Sequence, residues 1–225
     1  MQLRNVAPFV LLVTGCASLA ALAPSYPKYD LSLTSVQRPE KAKVRYGPDH
    51  IASFSDSGKT KYTFEDSLIN ATVVPIQTGF SVRIENKTSH TIKIIWDDAA
   101  IVDPTGQSAR IMHVGVKYVD RNNSQPPTVI VARGHIYDEL SPTDKVYMST
   151  GLYGGWQTAP LLPKTPFQIA NRDTVLAKLT ETYKGKTVQL LLPLQIEDVT
   201  NDYLFTFTIN DVTGALTLTN APFGE

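Results

Sequence analysis

The chain has a single cysteine, Cys16, in 225 residues, so no disulfide can form within it. Its stability must come from burying a core, and a chain of this length is long enough to do so. An excess of either charge is also missing, with 21 Lys and Arg against 21 Asp and Glu. A general nucleic-acid binder would show a basic excess or stripe, so nucleic acid is not an expected partner. No apolar run approaches the roughly 20 residues that a helix needs to cross a bilayer. Histidines number only four, His50, His90, His113 and His135, and no two sit at metal-ligand spacing. No metal site and no cofactor are therefore expected. A G-x-S-x-G elbow is absent too. Asp97, Asp98 and Asp103 do not follow the spacing of an EF-hand loop and read as turn carboxylates. No catalytic residue is nominated and no reaction can be read.

What the chain does have is β-branched residues: 57 of its 225 are Thr, Val or Ile. Such side chains favour a pleated surface. Alternation of apolar and polar residues dominates from about residue 43 onward. Phe80, Val82 and Ile84 make one face, followed by a hairpin connection over Asn86–His90 and a second face of Ile92, Ile94 and Trp96. Val114, Val116 and Tyr118 suggest another strand. So do Leu190, Leu192, Leu194 and Ile196, then Tyr203, Phe205, Phe207 and Ile209, with Thr200–Asp202 as their turn. Leu216 and Leu218 suggest a terminal strand. The expected fold is mainly β, an immunoglobulin-like antiparallel β-sandwich.

One helix is expected at about 172–184, between Asn171 as N-cap and Gly185 at the C′ position, lying over an end or edge of the sandwich. Val175, Leu176, Leu179 and Tyr183 would form its apolar face. A long irregular loop is expected over about 149–170, where Pro160, Pro163 and Pro166 keep the chain extended. Loops of that length inside a domain are usually functional or cover something.

Residues 1–15 carry one positive charge at Arg4, an apolar stretch from Val6 to Val13, and the small residues Thr14 and Gly15. That is the layout of a secretory signal. The tetrad Val13-Thr14-Gly15-Cys16 resembles the lipobox of bacterial lipoproteins. The resemblance implies that Cys16 becomes the lipid anchor after cleavage in front of it. Two or more acyl chains hold a protein stably on a bilayer, where one is marginal. The alternative is an ordinary secreted protein cut near Ala17 or Ala20. Ala17 following the cysteine implies delivery to the periplasmic face of the outer membrane. Residues 16–42, with Pro24, Pro27 and Pro39, read as the lipidated cysteine and a flexible tether. Residues 43–225 then form the single folded domain.

The Gly-rich stretch around Gly151, Gly154 and Gly155 bears Tyr153 and Trp156, the two candidate interaction residues. Rings on such a loop serve recognition at low entropic cost. The competing and preferred reading has Trp156 folded back to plug one end of the sandwich. The strand from Phe80 to Asn86 with its continuation to Asp97, together with Gln125–Ile130, Gly185–Leu194 and Tyr203–Phe207, resembles uncharacterised bacterial envelope lipoproteins over roughly residues 65–210. That resemblance implies fold and location only. The expected function is a membrane-anchored, non-enzymatic module that binds a protein partner of the envelope. The alternative is a small-ligand or glycan binder using the loop aromatics.

Overall fold

In the computed structural model, residues 25–39, 46–152 and 154–215 are described. The first strand, β1 (Tyr26–Gln37), is followed by four hairpin-linked strands, β2 (His50–Asp56), β3 (Lys59–Glu65), β4 (Ile69–Ile76) and β5 (Gly79–Asn86). Shorter strands come next: β6 (Ile92–Ile94), β7 (Ala100–Val102), β8 (Ser108–His113) and β9 (Thr128–Ile130). Then come β10 (His135–Pro142), the hairpin β11 (Val146–Ser149) and β12 (Gly155–Thr158), and helix α1 (Arg172–Tyr183). Two long strands, β13 (Thr187–Ile196) and β14 (Val199–Ala215), complete the described chain.

The mainly-β, antiparallel character expected from the alternation is present. The pairing, however, is one ladder of twelve strands, running β1-β14-β13-β7-β8-β10-β5-β4-β3-β2, with β6 and β9 attached through β13. That ladder curls until it nearly closes like a barrel, with the Tyr62 hydroxyl of β3 donating to the Leu31 carbonyl of β1. Its inner face is apolar by alternation. Rings from facing strands meet inside it: Phe64 on Phe205 at 5.9 Å, Tyr62 on Phe207 at 5.4 Å and Phe80 on Phe207 at 5.2 Å. Where β4 turns into β5, the chain passes so close to β10 that a Cβ on Gly79 would lie 1.9 Å from the Leu140 carbonyl oxygen. Only glycine fits there.

One end of this enclosure is sealed by polar groups. Asp66, in the turn between β3 and β4, is 3 % exposed. One carboxylate oxygen accepts the Leu68 and Ile69 N–H groups at 2.8 and 2.9 Å. The other accepts Arg38 at 3.1 Å and the Tyr203 hydroxyl at 3.0 Å. Burial, then the Asp66 charge, pushes the Tyr203 hydroxyl far above its ordinary pKa. Arg38 also pairs with Asp49 at 3.0 Å and lies over the Phe64 ring. The cluster ties the end of β1, the β3–β4 turn and the start of β14 into one latch.

Several expectations are corrected. The tether was expected to run to residue 42, yet Tyr26–Gln37 is a strand paired along β14 from Tyr26–Ala215 to Gln37–Leu204. Its side chains follow a period of two, interrupted by two register shifts that blur the pattern. Asn86–His90 does not make a hairpin: β5 pairs with β4 and β10, while β6 pairs with β13 and β9. The buried Asn86 amide organises this crossover by donating to the His90 and Val131 carbonyls. The β13–β14 turn falls at Glu197 and Asp198, not at Thr200–Asp202, since Ile196 pairs with Val199. Glu197 takes the positive φ of 55°. Val114 and Val116 belong to a turn after β8, and Tyr118–Asp120 forms a short 3₁₀ segment. Part of the expected 149–170 loop is regular, because β12 pairs with β11.

The helix lies where expected, and Gly185 has φ +81° at its C′ position. Val175, Leu176, Leu179 and Tyr183 pack with Ile209 and Val212 of β14 and with Tyr29 and Leu31 of β1. The helix thus packs over the face of β14, beside β1 at one end of the pairing order. Leu216 and Leu218 lie outside the described residues.

Candidate functional site

At the end of the sheet opposite the latch, the inward rows lose their cover. Along β4, Ile69, Ala71 and Val73 are fully buried, while Pro75, next on that face, is only half-buried. On β1 the inward Pro27, Tyr29 and Leu31 are half-buried as well. The space left there is a pocket of about 300 Å³. Its floor is Phe80, Val188 and Phe207, all within the core, and its walls are mainly proline and leucine.

The proline-rich segment after β12 makes one wall, and three attachments hold it in place. The Leu161 N–H donates to the Gln77 carbonyl in the β4–β5 turn at 2.8 Å. The Tyr29 hydroxyl donates to the Pro163 carbonyl at 2.8 Å. Phe167 and Ser25 exchange backbone hydrogen bonds at 2.9 and 2.8 Å. Pro160, Pro163 and Pro166 cannot donate to a ladder, so this segment crosses the end of the sheet without joining it. Burial, and secondarily the Tyr183 hydroxyl, push the Tyr29 pKa up to about 12. Tyr29 is therefore a neutral wall at ordinary pH.

Among the described residues, the ionisable ones at this pocket apart from Tyr29 are two exposed lysines, Lys28 on the outward row of β1 and Lys164 on the proline segment, with no Asp or Glu. The Lys164 ammonium sits 4.5 Å from the centre of the Tyr26 ring. Asp30, two residues along β1 from Lys28, instead accepts from Asn210 of β14 at 3.3 Å. An apolar cavity with a few polar groups converging on it has the build of a ligand site.

Trp156 lies elsewhere. It is half-buried on β12, opposite Met148 of β11, and stacks on Tyr118 at 6.1 Å. The Arg121 guanidinium lies 4.9 Å from its ring centre. Trp156 thus neither plugs an end of the sheet nor stands free. The tryptophan in the core is Trp96, fully buried, with its indole N–H donating to the Thr128 hydroxyl at 2.8 Å. Tyr153 and Cys16 lie outside the described residues.

Trp156 and Tyr118 line a shallow cleft with Met112, Glu139, Ser141 and His113. His113 stacks on Trp96 at 4.5 Å, and its Nδ1 is 3.1 Å from Asp138. Asp138 also accepts the Val114 and Glu139 N–H groups at 2.9 and 2.8 Å. Alternation along β10 turns Asp138 and Leu140 inward and Glu139 and Ser141 outward. Ser141 is thus on the opposite face from the His113–Asp138 pair, and the three do not form a nucleophile–base–acid array.

The other expected turn residues hold the backbone. Asp97 takes the Ser124 hydroxyl, the Gln125 N–H at 2.9 Å and Arg110 at 2.7 Å. Those bonds, the Ser124 one foremost, hold its carboxyl below the usual range. At Asp103, burial raises the pKa, but bonds from Thr105 and Gln107 outweigh it and leave the carboxyl low. Among the described residues no three of His, Cys, Asp and Glu gather as metal ligands, and no helix is long and apolar enough to cross a membrane.

The pocket residues were not nominated by sequence reading. They come from five separate segments, and the one signal pointing there was the proline-spaced stretch after Thr158. Comparison with protein-family models, with curated proteins and with solved structures gives no match.

Proposed function

We propose that this is a lipid-anchored, non-enzymatic protein of the cell envelope whose folded domain takes up a small apolar or amphipathic molecule. The anchor is Cys16, within its lipobox-like tetrad, and Ala17 after it favours the periplasmic face of the outer membrane. The observation that carries the binding reading is the apolar pocket that reaches the core between β1, β4 and the 160–164 segment. Its floor is Phe80, Val188 and Phe207, apolar surface that a bound apolar group would cover.

Saturable uptake of the neutral fluorophore N-phenyl-1-naphthylamine tests this. One site per chain is expected, abolished by Leu162→Trp at the pocket wall with the circular dichroism spectrum unchanged. No saturable uptake by the native chain overturns the reading. The anchor is tested separately: globomycin should accumulate the unprocessed form, and a precursor indifferent to it contradicts the lipobox.

A second reading, docking to an envelope protein, is favoured by the β11–β12 hairpin. It pairs with no other strand among the described residues and exposes Tyr147, Met148 and Leu152, the last at 92 %. Exposed apolar clusters of this kind often mark interaction sites. A photo-crosslinker at Leu152 in intact cells should capture one discrete protein; capture of lipid alone removes this reading.

A further inference from the structure

Resting on the pocket-binding reading, we infer that the ligand is a single-chain amphiphile with a carboxylate head, its tail in the pocket and its head at Lys28 and Lys164. The pocket floor offers only aliphatic and aromatic surface, which no polar ligand would desolvate onto without loss. Its volume, about 300 Å³, is at the lower limit for ligand cavities and suits one narrow chain, not a two-tailed lipid.

The charges at the mouth decide the head group. In a chain with equal numbers of cations and anions, the described residues around this pocket include two lysines and no carboxylate. The nearest acid on β1, Asp30, is engaged by Asn210. Lys164 is held at the rim by the Tyr26 ring, and an ammonium over a ring keeps donors for a carboxylate. A neutral head would leave both cations unanswered. A cationic head would be repelled.

The test uses the full chain carrying Cys16→Ser, which needs no detergent that could fill the pocket. Decanoate, decanol and decyltrimethylammonium, each below its micelle threshold, compete with bound N-phenyl-1-naphthylamine. Decanoate should displace the probe at about tenfold lower concentration than decanol, a difference of about 1.4 kcal/mol. The ammonium amphiphile should be weakest. Lys28→Ala with Lys164→Ala should abolish the preference for decanoate, bringing its displacement midpoint to that of decanol measured on the same variant. Raising the salt to about 1 M, where screening acts within about 3 Å, should shrink the preference in the native chain. Equal displacement by decanoate and decanol overturns the carboxylate inference and leaves the binding reading standing. A preference for decanoate that survives the double substitution overturns it in the same way. If neither the probe nor any amphiphile binds, both fall together.

Discussion

The two ends of one curled sheet are finished in opposite ways. Strand β4 runs between them over eight residues, roughly 25 Å. At its Ile69 end the interior is filled by Phe64, Tyr203 and Phe205 and closed by the Asp66–Arg38–Tyr203 latch. At its Ile76 end, Pro75 and Phe80 border open apolar space rimmed by lysines. The same strands, β1, β4 and β14, build both. The difference lies in what caps them: a charged cluster with its hydrogen bonds made, or a proline segment that spans the gap without filling it.

The latch should be the more fragile under substitution. Asp66→Ala leaves the Tyr203 hydroxyl and two N–H groups without their acceptor, and leaves the buried Arg38 with only the more exposed Asp49 as its partner. Removing one member of a buried pair costs about 3–5 kcal/mol when the remaining charge is uncompensated, and the Asp49 contact puts the expected loss at the lower end, about 3 kcal/mol. A urea midpoint close to that of the native chain would mean the latch does not hold the end closed.

A matched pair of substitutions sharpens the contrast. Val73 is fully buried in the packed part of β4, and Val188 lines the pocket floor. Val73→Leu should cost about 1–3 kcal/mol through overpacking. Val188→Leu has space for its added carbon and should gain about 0.8 kcal/mol. Equal losses at both sites in chemical denaturation would show that the pocket has no room to spare.

Tyr29 tests the pocket wall alone. Tyr29→Phe removes the bond to the Pro163 carbonyl and should cost about 1 kcal/mol. Its titration gives a second readout. Its folded pKa, about 12, lies above the ordinary value of 10, so the folded state keeps the proton longer. The unfolded chain then binds fewer protons between those values, and stability falls with rising pH there. This contribution is complete below pH 10 and is lost as the pH rises to about 12. Absorbance at about 295 nm, where the phenolate absorbs, should lose a late-titrating step in the Tyr29→Phe variant.

The strands of long, strict alternation were legible beforehand: Phe80–Ile84, Leu190–Ile196 and Tyr203–Ile209 all lie in β5, β13 and β14 with the expected faces inward. The helix was legible because its apolar spacing and its terminal Gly185 agree. Strand β1 was not, since Pro27 and two register shifts mask its period. Ladder closure was hidden too, because pairing partners such as Tyr26 and Ala215 are set by tertiary packing. The pocket was out of reach for a related reason: a void is defined by what neighbouring segments fail to fill, and no residue type announces that.

Trp156 gives the smallest and most local test of how filled and open regions differ. It is half-buried between Tyr118 and Arg121, whereas Trp96 is sealed in the core. Truncating Arg121 to alanine removes one partly exposed cation–ring contact and should cost about 0.5–1 kcal/mol. Fluorescence separates the two rings. With Trp96→Phe, emission from Trp156 should be quenched by iodide, though less than free tryptophan, because Tyr118 and Arg121 cover part of the ring. With Trp156→Phe, emission from Trp96 should resist iodide, since the quencher cannot reach an indole whose N–H is satisfied inside by Thr128. Equal quenching in the two variants would mean that the β11–β12 hairpin folds its tryptophan as deeply as the core does.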